Sequence, residues 1–510
     1  MALARAFSVA LVGLDGHLVE VEADLAQGLP GLTVIGLPDA ALAEARDRVR
    51  AAVVNSGQAW PAKRITLALS PASLPKRGSG FDLALAASVL AAAGVVPAEA
   101  LLGRVLIGEL GLDGTVRPVR GVLPAVLTAA RAGTDRVVVP LENLAEARLL
   151  PGVQARGVGR LRDLIALLRG EDYDETPPAR LVEDGWAGVQ PPAPDLRDVA
   201  GQHDGRTAVE VAAAGGHHVL LLGPPGSGKT MLAERLPGLL PPLQLSEALE
   251  VTAIHSVAGT LPTDRPLVSR PPFQDPHHTA TVASIVGGGS GIARPGAASL
   301  AHRGVLFLDE APEFAARALD ALRQPLESGR LSITRVGGTA VYPAAFQLLL
   351  AANPCPCARP EDCVCPPDVR RRYLARLSGP LLDRVDMHVE VPRITRAELL
   401  ADDGVGESSA VVAERVRQAR DRAEHRYAGT PWRTNGQVPA VELRRRWPVG
   451  RAAAHQAEDA MDRGLLTARG FGRVLRLAWT LADLQGAGTP GPEHVGHALG
   501  FRLGRLSAAA

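Results

Sequence analysis

Lysine is nearly absent from this sequence of 510 residues: Lys63, Lys76 and Lys229 are the only three, and arginine carries the rest of the positive charge. A lysine kept against that background marks a place where a compact ammonium group is wanted. Aromatic residues are also scarce, at 3%, which argues against a base-stacking platform for single strands as the main mode of binding. The formal net charge is only +1. No global field therefore draws the chain to nucleic acid or membrane, and any basic surface has to be local. Long hydrophobic runs are missing too. The longest uncharged apolar stretch, Leu83 to Val96, stops before Pro97 and is too short to span a bilayer. Arg5 and the mostly apolar run Ala6 to Leu14 faintly resemble a signal peptide, but Asp15 interrupts the run and no small-residue cleavage site follows. The expected compartment is the cytoplasm, with no membrane contact.

What remains has the composition of a globular protein, 46% hydrophobic. The length predicts about three domains, each large enough for its own core. Residues 1–170 mix strand-like patterns (Phe7 to Val12, His17 to Val21, Leu32 to Ile35) with alanine-rich helical ones (Pro38 to Ser56, Leu83 to Ala93). That mixture predicts an α/β or α+β domain. Residues 171–194 carry six acidic residues against the lone Arg180 and end in Gln190-Pro-Pro-Ala-Pro194, the composition of a linker. A nucleotide-binding module is expected over 195–395, and helix-rich sequence over 396–510.

The third lysine is the informative one. It closes the run Gly223, Pro224, Pro225, Gly226, Ser227, Gly228, Lys229, Thr230, directly after the apolar strand Val219 to Leu222 and before a helix starting at Met231. Glycines in such a loop let backbone N–H groups wrap phosphate oxygens, the ammonium meets the terminal phosphates, and Thr230 reaches Mg²⁺. A second apolar strand, Gly304 to Leu308, delivers Asp309 and Glu310 to the same end of a parallel sheet. Asp309 suits Mg²⁺, and Glu310 suits the attacking water. A third strand, Phe346 to Ala352, ends at Asn353, where an amide can sense a γ-phosphate. These three signals predict an ATPase that uses Mg²⁺.

The chain resembles the AAA+ superfamily, and within it the magnesium-chelatase-like branch known as the YifB/ComM family, with kinship to MCM helicases. The resemblance is carried by Asp198-Val-Ala-Gly-Gln202, the two phosphate motifs, Pro276-His-His278 with Gly287-Gly-Gly289, Ser299 to Gly304, Asn353-Pro-Cys-Pro-Cys357, Arg376 to Arg384 and Ala468-Arg-Gly470. It implies an α/β AAA+ P-loop parallel-sheet core followed by a C-terminal helical lid. It also implies an adenine pocket lined by Val199 and Gln202, Asn353 as sensor 1, Arg469 as sensor 2 in the lid, and Arg384 as a finger acting on the neighbouring subunit's ATP. A finger in trans implies a ring, typically a homo-hexamer.

Residues Leu74 to Leu83 and Ile107 to Val116 look like the proteolytic domain of Lon. That domain uses a Ser–Lys dyad, and this chain departs from it at both members. Gly80 falls where the nucleophile belongs, Ser79 lies one position early, and no lysine follows Lys76 within the domain. Peptidase chemistry lacks its nucleophile and base here, so the expected role is a substrate-contacting or ring-stabilising collar.

Two features remain. Cys355, Cys357, Cys363 and Cys365 form two closely spaced pairs that can converge on one tetrahedral Zn²⁺ or stand as reduced thiols. Arg330 to Tyr342 reads as a hairpin with a Gly-Gly turn, placing Arg335 beside that turn. Helicase-like relatives carry a pore hairpin at this point, so Arg335 is the candidate DNA contact. Arg370, Arg371, Arg372 and Arg376 form a further cluster, whereas Arg415, Arg417, Arg420, Arg422 and Arg426 read as a solvated helix face. The resemblance to ComM points to a DNA motor acting on branched, single-stranded or heteroduplex intermediates in recombination. A metal-insertion ATPase and a protein-remodelling machine are the alternatives.

Overall fold

In the computed structural model the described residues run from 2 to 504, apart from 37–39, 75, 77, 79, 177–193, 263–265, 290–292, 336–337, 358–362 and 402–405. Most of the expected linker, together with Pro38 and Ser79, therefore lies outside the described residues. No described helix is long and apolar enough to cross a membrane.

The N-terminal third is built on a seven-stranded sheet. The long strands Ala2–Val12 and Asp15–Ala26 pair antiparallel through a tight turn, and Gly13 takes the left-handed backbone (φ 68°) that the turn requires. Strand Arg64–Ser70 extends the sheet on one side, flanked at the edge by Gly31–Ile35. Arg104–Leu106, Arg136–Pro140 and Gln154–Val158 extend it on the other side, all in parallel. Helix Asp82–Ala92 is buried along its whole length, as its nearly unbroken alanine, leucine and valine sequence dictates.

The central module holds five parallel strands in the spatial order Phe273–Gln274, Val305–Leu308, Gln347–Ala352, Val219–Leu222, Met387–Glu390. The strand sequences VLLL, VLFL and QLLLAA are continuously apolar because both faces are covered. Alternate residues make two separate cores. Val219, Leu221, Val305, Phe307 and Leu349 pack with the helices of the C-terminal region, while Leu220, Leu306, Leu308, Leu348 and Leu350 pack on the opposite face. The architecture is the expected AAA+-type α/β core with a C-terminal helical domain.

That helical domain corrects one sequence reading. Helix Ser409–Arg426 is not a solvated arginine face. Its Val412, Val416, Ala419 and Ala423 are buried, and the arginines flanking this stripe reach inward. Arg420 donates to the Ala213 carbonyl at 2.6 and 2.9 Å, Arg415 is bidentate with Glu210 at 2.7 and 3.0 Å, and Arg426 pairs with the buried Asp483. Arg417, held by Glu414 and Asp421, stays on the surface, and Arg422, also exposed, donates to the Asp483 carbonyl at 2.7 Å. Long side chains let arginines beside an apolar stripe bury their stems and cap carbonyls of the neighbouring helix.

The N-terminal domain is seated on the ATPase core at two points. Leu14, in its first turn, and Val257 of the core both pack against the cluster of Ala293, Ile333, Ala340 and Tyr342. Glu146 is buried and accepts hydrogen bonds from Leu123 N (2.8 Å) and the Ser256 hydroxyl. The expected hairpin is present as Arg330–Arg335 and Gly338–Pro343. It is not a free loop: Gly13 lies so close to Ala340 and Val341 that an added Cβ would stand 3.3 Å from both.

Candidate functional site

The carboxyl ends of the three central strands converge on one place. Gly223 follows strand Val219–Leu222, and a Cβ there would come within 2.1 Å of the Val391 carbonyl oxygen, so only glycine permits the loop to start. Gly226 (φ 74°) and Gly228 (φ 91°) supply the left-handed turns that curl the loop. Helix Lys229–Leu239 begins at its end, aiming its free N–H groups and positive dipole end at the loop. Among the described residues the buried Ser227 hydroxyl finds no hydrogen-bond partner. Such an orphan inside a curled glycine loop fits a phosphate-binding cradle.

Lys229 is buried, and its Nζ donates to the carbonyls of Gly223 (2.7 Å) and Pro224 (2.8 Å) and to Asn353 Oδ1 (3.2 Å). Burial pushes its pKa below the usual lysine value, while Asp309 and Glu310 pull it back up. The Thr230 hydroxyl donates to Asp309 Oδ2 at 2.8 Å. A hydroxyl and a carboxylate so placed are the hard oxygen donors that suit Mg²⁺. Glu310 follows with φ 50°, a left-handed conformation that costs a non-glycine residue free energy and is held by its surroundings. Five predicted residues, Lys229, Thr230, Asp309, Glu310 and Asn353, are thus brought together.

Val199 and Gln202 are placed differently from one another. Val199 is 2% exposed within the core. Gln202, also in a left-handed conformation (φ 46°), donates through Nε2 to the carbonyls of Ser227 (3.0 Å) and Pro392 (2.5 Å). It braces the phosphate loop from behind.

Arg384 and Arg469 stand elsewhere. Strand Met387–Glu390 runs parallel to Val219–Leu222 with Met387 beside Val219, so Asp383 to Asp386 lie at the edge opposite the phosphate loop. A four-residue strand separates the two edges by about 13 Å. Arg469 pairs with Asp383 at 3.5 Å, and Arg384 pairs with Glu327. The resemblance implies sensor 2 in the helical lid for Arg469; in the structure its ion pair with Asp383 sets it near Arg384, at the edge of the sheet away from Lys229. Next to them Asp386, buried, binds His218 N at 3.0 Å and pairs with Arg473, which holds its carboxyl well below the ordinary range despite burial. Sequence reasoning missed this tie, since nothing local links residues 218, 386 and 473.

The cysteines converge. All four Sγ atoms lie within 4.8 Å of one another, with Cys357 at 3.3 Å from Cys355 and 3.6 Å from Cys363. Four thiol sulfurs at this spacing fit a tetrahedral structural Zn²⁺. In the N-terminal domain Lys76 is fully buried and its Nζ donates to the carbonyls of Gly36 (3.1 Å) and Pro71.

Comparison with known proteins agrees with this geometry. The model described as "Magnesium chelatase, subunit ChlI" matches residues 195–399, "Subunit ChlI of Mg-chelatase" matches 21–143, and "Magnesium chelatase, subunit ChlI C-terminal" matches 406–502. An uncharacterized protein of Mycobacterium tuberculosis is 56% identical over 512 residues, covering 98% of this chain and 99% of that one. The YifB protein of Salmonella typhimurium is 41% identical over 504 residues, covering 98% and 97%. The competence protein ComM of Haemophilus influenzae is 39% identical over 505 residues, covering 98% of each. A weaker likeness, 26% over 182 residues, links 33% of the chain to the Lon protease of Salinispora arenicola. With a glycine loop, paired carboxylates and the Asn353 amide in one cradle, the chain belongs to the magnesium-chelatase-like AAA+ family of YifB and ComM and is an AAA+ ATPase.

Proposed function

We propose that this protein is a ring-forming motor that couples ATP hydrolysis to movement on DNA and remodels branched or heteroduplex intermediates. The observation that carries the reading is the end-to-end match to a competence protein, 39% identical over 98% of both chains. Arg335 supports it as an exposed cation next to the tip of a hairpin that joins helix Arg323–Ser328 to the Asn353 strand. In this reading Glu310 polarises the attacking water and Asn353 senses the γ-phosphate beside Lys229. Thr230 and Asp309 would hold Mg²⁺, which would supply positive charge to offset that of the phosphates.

A closed ring, most simply of six copies, gives Arg384 and Arg469 a nucleotide to act on, because each faces away from its own loop. A planar guanidinium matches the charge that develops on a transferring phosphoryl group. Arg384 exchanges Glu327 for that phosphate when the neighbour is loaded. Cys355, Cys357, Cys363 and Cys365 would hold Zn²⁺, which would tie down the segment that follows the Asn353 strand. Its place is then cytoplasmic, where DNA and ATP are both present.

The test is ATPase rate with and without a synthetic four-way junction across a salt series. Phosphate contacts release counterions, so binding should weaken steeply with salt, and Arg335→Ala should flatten that dependence. Assembled wild-type protein that neither binds the junction at low salt nor hydrolyses ATP faster in its presence would overturn the motor. The chelatase descriptions of the family models favour a second reading, a metal-insertion ATPase. Stimulation by a porphyrin, with none by DNA, selects it.

A further inference from the structure

The helical domain gathers tryptophan and arginine in one place. Aromatic residues are scarce in this chain, yet three of its five tryptophans, Trp432, Trp447 and Trp479, meet Tyr427 in a single cluster. Trp447 is pinned within it. Its carbonyl accepts from Trp479 Nε1 at 3.1 Å, and its ring stands nearly perpendicular to those of Tyr427 and Trp432, with centroids 4.8 and 6.4 Å away. The Arg446 guanidinium lies over the same ring, 4.6 Å from its centroid. Stacking of this kind holds a long, charged side chain in one orientation.

Arg446 ends the helix Ala440–Arg446, whose last turn is the exposed run Arg444-Arg445-Arg446, and exposed Arg451 opens the next helix, Arg451–Asp462. From 425 to 457 the one acidic residue is Glu442, and Arg445 holds it at 3.2 Å. Among the described residues Arg444, Arg446 and Arg451 are left without a carboxylate partner. Cations in a last turn complement the helix dipole, which accounts for one or two solvated arginines here. It does not account for Arg451, which stands in a first turn, where the dipole disfavours positive charge. The basic helix is also fixed in place: a Cβ on Gly472 would stand 2.5 Å from Ala440 Cβ, so it lies directly on helix Ala468–Gln485.

We propose that Arg444, Arg446 and Arg451 form a second contact surface for the phosphate backbone of DNA, separate from the hairpin at Arg335. The inference rests on DNA being the polymer this protein binds, and it adds to that reading a site in the helical domain. A guanidinium meets a phosphate with two parallel donors, and one already held against a ring on a fixed helix loses little freedom in doing so. Phosphate charge also offsets the mutual repulsion of three clustered cations. The Trp447 ring is covered by Arg446, so it orients a cation and does not stack on a base. The contact therefore holds the backbone and does not read sequence.

Fluorescence anisotropy of the full-length protein, without ATP and across a salt series, tests this on a labelled duplex. Replacing Arg444, Arg446 and Arg451 together by Ala should weaken binding roughly tenfold or more at about 0.1 M salt and lower the log–log salt slope by about two to three, near one for each lost phosphate contact. Duplexes of unrelated sequence should lose equally. The triple Lys variant keeps the charge and should keep most of the affinity and slope. Arg335→Ala should subtract its own share, additively with the triple Ala variant. A triple Ala variant with the wild-type affinity and slope, a loss of affinity with no change of slope, or a triple Lys variant as weak as the Ala one would each overturn the site. So would unchanged DNA binding with lost self-association in sedimentation, which would make the patch a contact between copies of this chain. Wild-type protein that binds no duplex at low salt removes the reading beneath; wild-type binding that the triple Ala variant leaves untouched removes this site alone.

Discussion

Lys229 and Lys76 are both buried ammonium groups whose Nζ atoms rest on backbone carbonyls. Burial lowers both pKa values. Only one belongs to a site. Lys229 stands at the mouth of a strained glycine loop with Asn353 in contact and Asp309 and Glu310 close by, so a bound polyphosphate can replace the carbonyls with better partners. Lys76 is sealed by two carbonyls with no accessible surface, and it works as an internal tie. A buried amine signals chemistry when its surroundings can exchange partners, and signals architecture when they cannot.

The sharpest way to break this comparison is to remove both amines. Lys229→Ala should abolish measurable nucleotide binding, a loss beyond about 100-fold, because the phosphate charge loses a charge-assisted partner. Lys76→Met should leave ATP affinity as it is and lower the melting temperature, at a cost of about 1–3 kcal/mol for two unpaired buried carbonyls. Lost ATP binding in Lys76→Met, read by fluorescent-nucleotide titration, would erase the distinction.

The two edges of the ATPase sheet offer a second contrast. Arg384→Ala should lower kcat by about 100-fold or more while nucleotide binding persists. Mixed with Glu310→Gln protein, it should regain turnover wherever an intact finger faces its intact cradle. No recovery across mixing ratios would return Arg384 to a local role with Glu327.

A smaller effect is expected at the cysteines. Metal analysis should find about one zinc per chain, absent in Cys357→Ser. Limited proteolysis should then loosen the segment after Asn353 and spare the N-terminal domain. Full retention of metal in that variant would rule out the four-sulfur site.

Acid should divide the two halves most gently. Burial holds His218 and His388 down to about 4, against an ordinary 6.5. The unfolded chain then binds protons that the folded chain refuses, so their contribution is present above 6.5 and lost as pH falls toward 4. Burial holds Asp82 up to about 6, against 3.8. Its contribution is present below 3.8 and lost as pH rises through 6. Hydrogen exchange at pH 5 and 7 should show the ATPase half loosening in acid more than the sheet around Asp82. Equal loosening of both would count against this assignment.

The sequence by itself determined the cradle around the glycine loop. Loop glycines, an ammonium at a set spacing, and carboxylates directly after an apolar strand are local requirements, so Lys229, Thr230, Asp309, Glu310 and Asn353 were legible without coordinates. The hairpin and the cysteine cluster were legible for the same reason. What only the tertiary structure decided depends on register and on contacts between residues far apart in the chain. It turned Arg415, Arg420 and Arg426 of helix Ser409–Arg426 inward, set Arg384 and Arg469 on the edge away from their own loop, and seated the hairpin on Leu14. It also brought His278 level with Glu310, Nδ1 to Oε2 at 3.3 Å. The signal was present in the Pro276-His-His278 run, but only the parallel pairing of Gln274 with Leu306 shows which carboxylate the imidazole meets, because strand neighbours are chosen by the packing of the whole sheet.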